Sequence, residues 1–206
     1  MLAGAALDHA LVKGVITRPS AVQYFRAIAG PWAFDPLGRG RPIADMRFNV
    51  AHGARILYVG ENPVVCMQEA QASGFPATSM VCVPVEVRLD AILDLRHAAT
   101  RTALDLKMTD IQLNFRGLNK AGMIADTQTL GERCAALKVI DGIYYPSVPQ
   151  KGGSCIAVLE SNLTSGKTHV IVKEQLDPNG DRMYPVPAGR TGPPSGLPLG
   201  IWDRLP

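Results

Sequence analysis

Arg47, Tyr58 and Glu69 follow one another at intervals of eleven residues in the run RFNVAHGARILYVGENPVVCMQEA, residues 47–70. Between them they supply a guanidinium fork for phosphate, an aromatic face and a carboxylate. Two further residues belong with them by type. Arg26 follows the aromatic pair Tyr24-Phe25, and Ser147 follows Tyr144-Tyr145-Pro146. Each alone has a plainer reading: a surface ion pair, a rim aromatic, a solvated helix glutamate, a turn serine. Together they suit a pocket for a nucleotide carrying a pyrophosphate. No G-x-G-x-x-G follows a strand and no Walker glycine loop is present, so side chains would have to hold the phosphates. Redox and phosphoryl-transfer layouts are missing, which leaves chemistry at the sugar.

The elements that must position these groups are short. A helix is expected from a Ser20 cap to about Ala29, ended by Gly30-Pro31. GPWAFDPLGRGRPIADM then reads as a structured loop. RILYV (55–59) is a strand, and Asn62-Pro63 starts a helix that runs to about Ala72 and stops at Gly74. Apolar residues lie on nearly every side of that helix, which predicts that it is enclosed, with Glu69 its only formal charge. Burying a carboxylate costs several kcal/mol unless it is paired, so Glu69 asks for a partner or a task.

SMVCVPVEV (79–87) is β-rich, with Pro84 suggesting an edge or a bulge. AILDL is a short strand candidate, and residues 98–123 are mixed. Asp126 or Thr127 can cap a helix over TQTLGERCAALK. GIYYPS (142–147), SCIAVLE (154–160) and THVIVKEQ (168–175) are strand-like. Ten of the 22 residues from Pro185 to Pro206 are Pro or Gly, which predicts an extended tail. There is no βαβα rhythm and no internal repeat, so the fold class is α+β.

Composition narrows the function. The charge of +3 comes without a basic stripe interleaved with aromatics, which argues against a nucleic-acid partner. Four scattered cysteines, Cys66, Cys82, Cys134 and Cys155, form no C-x-x-C pair and are expected to be reduced thiols of a cytoplasmic protein. His9, His52, His97 and His169 lack metal-ligand spacing, so no metal is expected. No apolar run reaches the roughly 18 residues of a membrane span, and the N-terminus lacks the basic start of a signal peptide.

The run RFN…G…ILYVGENPVVCMQEA resembles the RES domain, the toxin half of bacterial RES–Xre toxin–antitoxin pairs. FRAIAGPWAFDP with Arg26, DTQTLG (126–131) and IYYPSVPQKGGSCIAVLES (143–161) with Ser147 extend the likeness. The resemblance covers about 15–165. It leaves a helical N-terminal extension (1–14), an additional strand and turn (166–184) and the tail (185–206) outside. Arg-Phe-Asn stands where Arg-Trp-Asn is frequent in the family.

The resemblance implies an ADP-ribosyltransferase-like fold of short mixed β-sheets flanked by helices, and NAD+ as substrate. By motif match, Arg47 and Arg26 would hold the pyrophosphate, and Tyr58 would stack on the nicotinamide end. Glu69 would face the ribose, and Ser147 would orient the substrate. It also implies an Xre-type antitoxin or an immunity protein as partner, and action in the cytoplasm, with a secretion system as an open route of delivery. Two activities share such a pocket: NAD+ cleavage by water or phosphate, and ADP-ribosyl transfer to a protein acceptor. A non-catalytic interaction module is the third reading.

Overall fold

The computed structural model describes residues 1–12, 16–17, 22–29, 37, 44–74, 80–163 and 168–172. The chain opens with α1 (Gly4–Val12), β1 (Ile16–Thr17), β2 (Val22–Ala29), β3 (Ile56–Gly60), α2 (Pro63–Ala72), β4 (Met80–Arg88) and β5 (Ile92–Asp94). Four helices follow, α3 (Ala98–Ala103), α4 (Met108–Gln112), α5 (Phe115–Lys120) and α6 (Asp126–Leu137). β6 (Gly142–Pro146), β7 (Ser154–Leu159) and β8 (His169–Val172) close the described chain.

Among the described residues the strands make one sheet of eight in the order β1-β5-β6-β7-β3-β2-β4-β8. Among those pairings, only β5 and β6 run parallel; the crossover between them is the stretch that carries α3 to α6. The architecture is therefore α+β, as expected.

Side-chain alternation sorts the strands onto two faces. Tyr58, Leu93, Ile143, Tyr145, Cys155 and Ala157 meet Leu7 and Leu11 of α1, Val65 of α2, Ile111 of α4 and Leu130 and Cys134 of α6. Their neighbours along the strands, Leu57, Val59, Ile92, Ile156 and Val158, turn the other way and join Tyr24, Val85 and Val87. β7 is buried at every residue because it lies mid-sheet with both faces covered. The N-terminal helix is part of this core: Leu7 and Leu11 are fully buried.

One expected element is overturned. Residues 22–29 are not a helix capped at Ser20 but the strand β2, paired without a break to β4 from Val22↔Val87 to Ala29↔Met80. Aromatic and β-branched residues fit that pleated surface, and eight residues of pairing outweigh a local cap signal. Ser20 itself lies outside the described residues, as do the Gly/Pro loop except Leu37 and residues 44–46, and the 185–206 tail. Pro84 sits within β4 opposite Phe25 of β2, and the described part of β8 ends at Val172, opposite Val85. The cap of α6 falls on Ala125, one residue before the expected Asp126, with Gln128 Oε1 accepting from Ala125 N at 3.0 Å.

At the C-terminal end of β5 the buried carboxylate of Asp94 takes both Nε (3.0 Å) and Nη2 (2.7 Å) of Arg96, whose guanidinium lies 3.5 Å from the Tyr144 ring centre. No helix among the described residues is long and apolar enough to cross a membrane.

Candidate active site

Glu69 owes its place to the tight turn from β3 into α2. Asn62 caps the helix, its side-chain oxygen accepting from Val65 N at 2.9 Å, and Pro63 occupies the first turn where no N–H is missed. Gly60, the last residue of β3, is needed for the approach: a Cβ there would lie 2.8 Å from Cys66 N. Val65 and Cys66 are buried against the sheet, and Glu69, one turn further on, is carried to the sheet's end. Gly74 stops the helix with φ +88°, and Arg116 Nη2 of α5 donates to the Ser73 carbonyl at 2.8 Å.

The helix is not enclosed, contrary to its apolar composition. Val64 is 57 % exposed and only Val65 and Cys66 are buried. One face packs on the sheet, and the valine and alanine content of the other face is not a sign of burial.

Ser147 follows β6, in the connection to β7. Its N–H donates to the Gly153 carbonyl (2.8 Å), which closes the loop, and its side chain is 7 % exposed. The Ser147 hydroxyl donates to Glu69 Oε1 at 2.7 Å and accepts from Gln150 N at 3.2 Å. Val148 N adds a second donation to the same carboxylate oxygen, at 3.0 Å. Oε2 receives none from the described residues. The carboxylate is thus oriented through one oxygen while the second stays available.

Arg47 and Phe48 form the two-residue tip of a miniature hairpin whose base is the Met46–Asn49 bridge. Arg47 Nη1 donates to the Ile111 carbonyl, and its guanidinium carbon lies 5.7 Å from the centre of the Phe115 ring. Arg116 approaches the same ring, at 5.6 Å. Tyr58 reaches this hairpin from β3. Its hydroxyl donates to Asn49 Oδ1 (2.9 Å) and accepts from Phe48 N (3.0 Å). Burial, the largest influence, pushes the phenol pKa well above its ordinary value, so the hydroxyl stays a donor. Arg26 comes close as well, Nη1 lying 3.4 Å from the Tyr58 carbonyl.

Of the five expected residues, Glu69 and Ser147 are bonded directly, Tyr58 is bonded to Phe48 and Asn49 of the hairpin that carries Arg47, and Arg26 adjoins Tyr58 through its backbone carbonyl. Tyr145 joins the groups and was not singled out from the sequence. It is 3 % exposed, packs edge-on against Phe48 with centroids 4.9 Å apart, and is raised in pKa first by burial. The Glu69 carboxylate raises it further, and the Arg47 charge opposes that rise. Strand parity carried the signal: in GIYYPS, Tyr145 shares a face with Ile143 and the helices, whereas Tyr144 points to the other core. Chemically, the arrangement offers an oriented carboxylate, a hydroxyl beside it, two arginines on nearby backbone and an aromatic floor.

Comparisons with known proteins bear on the fold and the family. The chain is similar to a chain in the crystal structure of the M. tuberculosis MbcT–MbcA toxin–antitoxin complex, with a TM-score of 0.52 and 18 % identity over 82 % of this chain and 93 % of that one. At that identity the likeness speaks for the fold, and it accords with the expected ADP-ribosyltransferase-like class. No curated protein matches the sequence. The RES domain family matches residues 23–179, which include all five expected site residues, Tyr145 and the strands from β2, less its first residue, to β8. The chain belongs to the RES domain family.

Proposed function

We propose that this chain is a toxin enzyme that breaks the nicotinamide–ribose bond of NAD+ and so depletes it. The observation that carries the reading is Glu69, held through Oε1 by Ser147 Oγ and Val148 N with Oε2 left over. In the reaction the C–N bond breaks, and its electron pair leaves with nicotinamide, whose ring nitrogen loses its positive charge. Positive charge develops at the anomeric carbon, where the Glu69 carboxylate stabilises it more than in the ground state. Water or phosphate then adds to that carbon. Because the leaving group departs neutral, no general acid is required, and one carboxylate suffices.

In this reading Arg47 and Arg26 hold the pyrophosphate, Tyr58 borders the nicotinamide end, and Ser147 orients both Glu69 and substrate. Likeness to a chain from a toxin–antitoxin complex supports an antitoxin partner, which the family resemblance makes an Xre-type protein. The test is incubation of the purified chain with NAD+, with and without phosphate and with candidate protein acceptors, followed by product analysis. Free ADP-ribose or its 1″-phosphate supports NAD+ depletion. ADP-ribose attached to protein turns the reading to a transferase, and intact NAD+ in every arm sinks the enzyme.

A further inference from the structure

The hairpin that presents Arg47 rests on one face of α6, whose side chains hold it by its backbone. Gln128 is fully buried. Its Nε2 donates to the Met46 carbonyl (3.0 Å) and the Asn49 carbonyl (3.3 Å), the two residues that form the hairpin base. The same amide is fixed in turn by Asn119, through Nδ2 to Gln128 Oε1 (2.9 Å) and Gln128 Nε2 to Asn119 Oδ1 (3.1 Å). Three residues along, Gly131 lets the helix touch the hairpin tip, since a Cβ there would lie 1.9 Å from the Phe48 carbonyl oxygen. One residue further, Glu132 accepts from Ala54 N at 2.9 Å and from Val50 N at 3.3 Å, so its carboxylate ties down the chain leaving the hairpin. Positions 128, 131 and 132 share one helix face, and together they grip both sides of Arg47.

We propose that Gln128 and Glu132 are positioning residues that act through Arg47, setting how tightly the site holds an anionic, pyrophosphate-bearing substrate. The claim rests on the NAD+ reading above, and it assigns to the TQTLGE stretch a task in binding. A guanidinium recognises phosphate only from a fixed place, because its fork is rigid and directional. Without the buried amide, the Met46 carbonyl loses its Gln128 donor, the Asn49 carbonyl keeps only Met46 N, and the hairpin is held less firmly against α6. The expected loss is in ground-state affinity, since Glu69 is held by a separate set of bonds from Ser147 and Val148.

The experiment compares full-length wild type, Gln128→Glu, Arg47→Ala and the double variant by NAD+ titration and initial-rate kinetics. Gln128→Glu keeps the shape but removes the donor. The expected result is a rise in Kd and KM of about ten-fold with kcat within about two-fold, and no further rise when added to Arg47→Ala. Unchanged affinity, or a full additional loss in the Arg47→Ala background, overturns the proposal. Where Gln128→Glu yields no folded protein, Glu132→Gln, at the half-buried end of the grip, carries the same comparison. Amide hydrogen exchange separates this claim from the substrate reading. If wild type binds no NAD+, that reading falls, and exchange over residues 45–54 decides the grip alone. Faster exchange there in the variant, with α2 unchanged, supports it, and equal protection overturns it.

Discussion

Ser147 and Glu69, 78 residues apart in the chain, meet in a 2.7 Å hydrogen bond at the end of the sheet. The serine lies just past β6, in its connection to β7, and the glutamate rides the helix that follows β3, the strand beside β7. Val148 N reinforces the bond on the same oxygen. Substitutions at the two positions should therefore have graded effects. Glu69→Gln removes the charge and is expected to lower kcat for NAD+ cleavage by about 1000-fold. Ser147→Ala leaves the charge held by Val148 N alone and should cost about 10- to 100-fold. Chromatographic quantitation of nicotinamide release checks both, and wild-type activity in Ser147→Ala would show that the bond does not matter.

Tyr58→Phe deletes the hydroxyl that both receives Phe48 N and donates to Asn49. It leaves two polar groups of the hairpin short of a partner, at a cost of about 1–2 kcal/mol in urea-induced unfolding. NAD+ binding should weaken in parallel, because the same hairpin bears Arg47.

Gly131→Ala places a methyl 1.9 Å from the Phe48 carbonyl oxygen, a backbone atom that cannot swing aside. Either α6 or the hairpin must retreat, and a loss of about 1–3 kcal/mol is expected from the overpacking. A urea midpoint equal to wild type would mean that the helix and hairpin separate freely.

The thiols should differ sharply in reactivity. All four are free, and Cys66, Cys134 and Cys155 are buried. Cys66 donates its S–H to Cys82, which raises its own pKa, with burial adding to the rise, and lowers that of the half-buried Cys82. Iodoacetamide on the folded protein should therefore label Cys82 first, and peptide mass spectrometry would reveal any other order.

Acid stability should carry the mark of Asp94. Burial alone would raise its carboxyl, but hydrogen bonds from the Arg96 side chain and backbone, and the charges of Arg96 and His97, outweigh burial and hold it below the ordinary value. A folded pKa below the unfolded one means the stabilisation is complete above about pH 4 and fades as pH falls through the folded value. Asp94→Asn should flatten the stability curve below about pH 4, read from urea midpoints at a series of pH values.

Much of this site was legible in the sequence because its parts are local. Asn62-Pro63 and Gly74 bound α2 as expected, and ILYVG and SCIAVL announce central strands by their composition. What escaped reading depends on distant partners. Strand β2 is decided by β4, more than fifty residues on, so a local serine misled. The exposed Val64 shows that α2 has only one buried face, which composition could not reveal. Gln128 and Glu132 look like ordinary polar helix residues until the hairpin they hold is placed against them. The packing of Leu7 and Leu11 into the core is likewise set by distant partners.

The pairing of β2 with β3 has a mechanical meaning. Phe25 and Gly60 are their one matched position among the described residues, so the sheet is two leaves joined by a single stitch. Beside it, the Arg26 side chain reaches across to the Tyr58 carbonyl. One leaf is β2, β4 and β8; the other runs from β3 through β7 to β1. Helix α2 lies over strands of both leaves like a splint across a fracture, with Glu69 near its end. The helix that carries the carboxylate is thus also the element that spans the joint between the leaves.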